Sequence, residues 1–178
     1  MKYICLLRGI NVGGNNKVPM AELRTRLENL GFENVSTYIN SGNVMFEMRP
    51  TDDALLVEKC EAAIEEQFGF PVRLAVITAN ELRDSMNHAP KWWAGSSDER
   101  HNALFVIAPM TAEEVVASVG DIKQEYEKVA YHGRIIFWTA SIKTISRTRW
   151  SKIVGTHPYR YVTIRNANTA RKLVELTK

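Results

Sequence analysis

Two helical stretches end alike, at Asn29-Leu30-Gly31-Phe32 and at Gln67-Phe68-Gly69-Phe70, and each runs on into a valine-containing strand. A glycine just past the last apolar helical residue is a left-handed stop, so each echo marks a helix end followed by a sharp return. The elements around the stops repeat as well. Tyr3 to Arg8 is a short apolar run, read as a buried strand. After Pro19, Met20, Leu23, Leu27 and Leu30 recur at helical spacing. Val35, Thr37 and Ile39 alternate with polar neighbours, Asn40-Ser41-Gly42-Asn43 turns, and Val44, Phe46 and Met48 resume the alternation, which makes a hairpin. Asp52 and Asp53 suit a helix start, Leu56, Cys60, Ala63, Ile64 and Phe68 form its apolar stripe, and Pro71 to Ile77 returns as a strand. The order β-α-β-β-α-β, with matching halves, is that of a split βαβ duplicated about a pseudo-two-fold, the ferredoxin-like plait.

The order then recurs. Thr78-x-x-Glu81 fits a capping box opening a connecting helix with Leu82 and Met86, and Ala89 to Arg100 reads as a linker. Its Trp92-Trp93 pair is expected to be an inter-domain packing plug, since large aromatics bury area. Ala103 to Ala108 is a strand and Thr111-x-x-Glu114 a second capping box. Tyr126 to Tyr131 and Arg134 to Thr139 flank a His132-Gly133 turn. A helix is expected over roughly Lys143 to Val154, ended by Gly155 and Pro158, then a strand from Tyr159 to Ile164 and a last helix with Leu173 and Leu176. The predicted class is α+β, with two ferredoxin-like plaits in one chain: residues 1–78, a connecting helix and linker over 79–101, and residues 102–178. At 178 residues and 45% hydrophobic, the chain can fill two small cores. Cys5 and Cys60 both lie in apolar periodic segments and read as buried thiols of a reducing compartment. With no signal peptide and no membrane-length apolar run, a cytoplasmic protein with no membrane partner is expected.

The first candidate site is the loop Arg8-Gly9-Ile10-Asn11-Val12-Gly13-Gly14-Asn15-Asn16-Lys17, between the first strand and the helix at Pro19. Glycines let backbone N–H groups turn toward one point, and a helix start adds partial positive charge, a chemistry suited to a small anion. Gly9 and Gly14 have P-loop spacing, but Asn15 and Asn16 stand where Lys and Ser/Thr are required; G-x-G-x-x-G is absent too. ATP hydrolysis by a P-loop and dinucleotide binding are thereby disfavoured. If the Asn40–Asn43 turn reaches this loop, Arg8, Asn11, Gly13, Gly14, Lys17, Asn40, Ser41 and Asn43 form one polar cluster with Arg as the anion fork. The alternative is that Asn and Ser serve turn geometry alone.

The second candidate follows from charge. Ala140 to Lys178 holds nine Lys/Arg against Glu175 alone, hence +8, and the overall +3 leaves −5 for the rest. Arg149 falls on the stripe of the expected helix with Ile142, Ile145 and Ile153, where it must snorkel or meet an anion. Arg165, Asn166 and Asn168 lead into the last helix, as caps or as a second anion site. Trp150, Tyr159 and Tyr161 interleave with basic residues, a mixture compatible with weak nucleic-acid binding. His88, His101, His132 and His157 show no ligand spacing, so no metal and no cofactor is expected.

The opening L-L-R-G-I-N-V-G-G-N-N-K-V-P-M, the Y-I-N-S-G-N-V segment at Tyr38 to Val44 and T-x-R-N at Thr163 to Asn166 together resemble a bacterial domain-of-unknown-function family, number 1697. The family often has Trp where this chain has Ala167. The resemblance implies a bacterial origin and the two-plait fold, and it transfers no catalytic residue. The residues themselves point to binding of an anionic ligand, a nucleotide-like molecule or a nucleic-acid backbone. Two alternatives stay open: a small hydrolase or transferase acting on a phosphorylated or acylated metabolite, which a fold-level analogy to acylphosphatases suggests, and a dimerising interaction protein whose polar loops are structural.

Overall fold

The computed structural model describes all 178 residues. The chain divides into two compact units, Met1–Ala79 and Asn80–Leu176. In the first, the elements run β1 (Lys2–Leu7), α1 (Met20–Asn29), β2 (Glu33–Tyr38), β3 (Asn43–Glu47), α2 (Asp53–Phe68) and β4 (Leu74–Thr78). The strands form one antiparallel sheet in the order β2-β3-β1-β4, the plait topology. β1 is central, with Cys5 opposite Val44 on one side and Val76 on the other. Tyr3, Cys5, Leu7, Val44, Phe46, Leu74 and Val76 meet Leu23 and Leu27 of α1 and Leu56, Cys60 and Ile64 of α2 in a single core. Asp52 caps α2 by accepting from the amides of Ala54 and Leu55. Gly31 and Gly69 take φ of 86° and 79° after their helices, the left-handed stops that the repeat implied. After the first stop, Phe32 is delivered onto Phe46, with ring centroids 4.4 Å apart. Cys5 and Cys60 are buried free thiols.

The second unit runs α3 (Ala79–Asn87, shared at its first residue with the first unit), β5 (Glu99–Val106), α4 (Ala112–Val119), β6 (Glu127–His132), β7 (Ile135–Ser141), β8 (Val162–Asn166) and α5 (Ala167–Leu176). Its sheet order, β6-β7-β5-β8, repeats the first. The capping box at Thr111 and Glu114 is formed in both directions. No helix in the chain is long and apolar enough to cross a membrane.

Three expectations need correction here. The helix foreseen over Lys143 to Val154 is absent; two short 3-10 turns, Ile145–Arg147 and Trp150–Lys152, replace it. Hydroxyls and a carboxylate capture the groups a helix needs. Thr148 Oγ1 donates to the Ile145 carbonyl and accepts from Ser151 N, while the amides of Arg149 and Trp150 donate to Glu127. Secondly, β5 begins at Glu99, inside the polar stretch read as linker, because Glu99, Arg100 and His101 pair with Ser141, Ala140 and Thr139. Thirdly, Trp93 is at home within the second unit: its ring packs edge-on against Phe137 and its Nε1 donates to the Asn102 carbonyl.

Candidate functional site

The loop after β1 is a miniature hairpin. Asn11 N donates to Asn16 O and Asn15 N to Val12 O, and Gly13 and Gly14, at φ 59° and 80°, form the two-residue tip that favours glycine at both positions. Asn11 is its fixing point. Its Nδ2 donates to the carbonyls of Val18 (3.0 Å) and Asn40 (2.9 Å), and its Oδ1 accepts from Val18 N (2.8 Å). One side chain thus ties the loop exit to the β2–β3 turn. The two segments also meet through Leu7 N donating to Gly42 O. Gly42, at φ 81°, lies so close that a Cβ would stand 2.7 Å from Leu7 Cβ.

The β2–β3 turn therefore reaches the loop, and the residues expected to cluster there have different roles. Asn16 Nδ2 donates to Gly9 O, and the fully buried Asn43 donates to Tyr38 O and Ser41 Oγ. Asn40 contributes its backbone carbonyl. The asparagines hold the loop together, a role that their side-chain amides fill with both donor and acceptor. Gly13, Gly14 and Lys17 are exposed, and Arg8 is half-buried where its amide donates to the Arg73 carbonyl.

In the second unit the organising residue is Glu127, 2% exposed at the start of β6. Oε1 accepts from Arg149 N (2.7 Å) and Lys123 N (3.1 Å); Oε2 accepts from Trp138 Nε1 (3.0 Å) and Trp150 N (3.1 Å). Four N–H groups from three segments converge on one carboxylate, the satisfaction that burial of a carboxylate demands. This fixes the loop after β7 against the segment that follows α4.

Between those segments lies a cleft of about 300 Å³, lined by Ser118, Val119, Lys123, Thr148, Arg149, Lys152, Ile153, Thr156 and Pro158. The Arg149 guanidinium rests on the C-terminal end of α4, with NH1 3.4 Å from the Val119 carbonyl. A cation is favoured there by the helix dipole. None of Lys123, Arg149 and Lys152 is engaged in an ion pair. The walls thus combine three uncompensated cations, hydroxyls, and an apolar surface from Val119, Ile153 and Pro158.

Arg149 does not lie on a buried helical stripe; it is exposed at the cleft. The other three residues of that predicted set are elsewhere. Arg165 is buried on β8, its guanidinium donating to Thr163 Oγ1 and the Ile164 carbonyl. Asn166 caps α5, accepting from Thr169 N at 2.8 Å. Asn166 and Asn168 line a separate groove with Arg100, His101 and Arg171. There His101 is held at both ring nitrogens, with Nε2 donating to the Ser96 carbonyl and Nδ1 hydrogen-bonded to Thr139 Oγ1 at 2.7 Å.

Sequence reasoning singled out neither Glu127 nor Lys123. The signal for Glu127 is an acid on the inward parity of an alternating strand, sharing its face with Val129, which packs on the core. Lys123 carries no such signal, because its partners come from a segment distant in sequence.

Comparison with known proteins adds the following. A family model described as "Protein of unknown function (DUF1697)" matches residues 1–137. No curated protein matches the chain. Among solved structures, the chain is similar to the conserved bacterial protein SP0830 from Streptococcus pneumoniae. The two share 36% sequence identity and superpose with a TM-score of 0.89, covering 99% of this chain and 98% of the other.

Proposed function

This chain belongs to the DUF1697 family, and we propose that it binds a small anionic ligand, seated in the cleft between the end of α4 and the loop after β7. The observation that carries the reading is the convergence of Lys123, Arg149 and Lys152, without acidic partners, on one cleft. Three cations without acidic partners give the cleft a positive field, which favours an anion. The arginine offers a planar fork for phosphate or carboxylate, the lysines offer point charges, and hydroxyl donors stand nearby. The volume is at the small end for metabolite sites, and the apolar wall suits a ligand with an organic body rather than a bare ion. A nucleoside monophosphate has that composition.

The loop of the first unit is the weaker candidate for the same chemistry. Asn11 and Asn16 are committed to internal hydrogen bonds, which leaves Asn15, Lys17 and the tip amides to meet a ligand.

The test is an NMR titration of the isotopically labelled chain with AMP and, separately, with inorganic phosphate at low salt. Saturable shifts in residues 118–123 and 148–156 are expected with AMP, weakened by at least about tenfold in Arg149→Ala and in Lys152→Ala, as for loss of a charge-assisted contact. Shifts confined to residues 8–17 would move the site to the first unit. No saturable response to either probe would overturn the reading. Turnover of a phosphate ester by the wild type, absent in Arg149→Ala, would turn the binding protein into a hydrolase.

A further inference from the structure

The second unit gathers three ligating side chains that the linear sequence keeps apart. Asp84 lies in α3 and His88 just past its last residue, with its amide and its Nδ1 both directed at the Asp84 main-chain carbonyl one turn back. His132 ends β6, 48 residues from Asp84. Its Nε2 lies 2.9 Å from Asp84 Oδ2, and His88 Nδ1 lies 3.5 Å from Asp84 Oδ1. The two imidazoles are parallel within 3°, with centroids 4.1 Å apart. One ligand atom from each residue falls within 4.8 Å of the other two. Asp84 and His88 are exposed and His132 half-buried, so an ion from solvent can reach them.

The backbone is built for this approach. Gly133, at φ 54°, follows His132, and a Cβ there would stand 3.0 Å from Ser85 Oγ. Ser85 is buried next to Asp84 in the chain. A residue without a side chain therefore lets the β6–β7 turn close onto α3 and places His132 beside the Asp84–His88 pair.

We propose that Asp84, His88 and His132 form a binding site for one divalent transition-metal ion of the zinc, cobalt and nickel class. Two imidazoles and a carboxylate suit those ions, whereas magnesium and calcium take oxygen ligands almost exclusively. Metal–ligand bonds of about 2.0–2.2 Å place tetrahedral ligand atoms about 3.3 Å apart. Both carboxylate–imidazole distances are already close to that value. The remaining closure has two parts: His88 Nδ1 gives up its proton and its 2.9 Å contact with the Asp84 main-chain carbonyl, and the two stacked rings splay so that their lone pairs converge on one point. The ion then takes the place of the proton that His132 donates to Asp84. Three protein ligands leave a coordination position open to water. The site shares no residue with the anion cleft, so either proposal can fail alone.

The experiment is a titration of the chelator-treated full chain with Co²⁺, followed by visible absorption and by displacement with Zn²⁺. The expected result is one saturating equivalent, with the intense bands of a four- or five-coordinate ion. Asp84→Asn, His88→Ala and His132→Ala should each weaken uptake by at least about tenfold, the effect that changes even outside the ligand shell produce. His101→Ala and His157→Ala should leave it unchanged. The three ligands lie at the surface, and circular dichroism of each variant confirms that it folds. Featureless, non-saturating absorption in the wild type would overturn the proposal. So would uptake that survives all three ligand variants, since the ion would then be adventitious.

Discussion

At the residue scale, Asn11 and Glu127 show how one polar side chain can replace several backbone interactions. Asn11 makes three hydrogen bonds while its backbone sits at φ 55°, a conformation tolerated by asparagine and free for glycine. Asn11→Gly therefore removes the hydrogen bonds without adding backbone strain. A loss of about 1–3 kcal/mol in urea unfolding is expected, with faster amide exchange at Val18. Unchanged exchange there would mean that the loop does not depend on this side chain. Glu127→Ala strands four N–H donors, at least two of them buried, and should cost roughly 3 kcal/mol or more. Trp138 and Trp150 report the change directly through fluorescence, since both donate to that carboxylate. If Glu127→Ala unfolds at the wild-type midpoint, the carboxylate is not the anchor of the cleft.

At the element scale, the first unit depends on the β2–β3 turn pressing against the end of β1. Gly42 is required there twice over, by its left-handed φ and by the absence of room for a Cβ beside Leu7 and Ile10. Gly42→Ala should destabilise by about 2–4 kcal/mol, since strain and overpacking add. The effect should reach past the turn, because Leu7 N donates to Gly42 O and Asn11 to Asn40 O. Amide exchange in residues 9–18 should quicken with exchange in 39–43. An alanine variant as stable as the wild type would show that the turn can back away from β1. In the second unit, the segment after β7 shows the converse dependence. Its 3-10 turns persist because Glu127, on another strand, holds the amides of Arg149 and Trp150.

At the scale of the molecule, charge is unevenly divided. Residues 1–79 hold eight basic and ten acidic side chains, and residues 80–178 hold fifteen and ten. A basic half attracts anions in general, so binding alone does not distinguish a small ligand from a polyanion. Salt dependence does. A ligand held by the three cations of the cleft should lose affinity only modestly between about 50 and 200 mM salt, whereas a nucleic-acid backbone held by many phosphates would lose several orders of magnitude. A titration with AMP and with a labelled single-stranded RNA under both conditions is expected to give a shallow slope for the first and weak, rapidly fading binding for the second. RNA binding that outlasts the higher salt would assign the basic region to nucleic acid and displace the small-ligand reading.

What the sequence determined by itself is the pair of plaits. Helical and alternating periodicities, the glycine stops at Gly31 and Gly69 and the Thr111–Glu114 cap are local patterns, and local patterns set element type and order. Strand order then follows from chirality and short connections. Tertiary structure decided the roles of the polar residues. The sequence marked the loop asparagines as a candidate site; in the fold Asn11 ties the loop to the β2–β3 turn and Asn16 closes the loop on Gly9. It dissolved an expected helix by offering Glu127 to the amides of Arg149 and Trp150. It also separated Arg149 from Asn166 and Asn168, brought Lys123 and Lys152 to its side, and set His132 against Asp84. The physical reason is common to all of these. A polar side chain takes whichever partner lies within about 3 Å after folding, and no periodicity or composition encodes which group that will be.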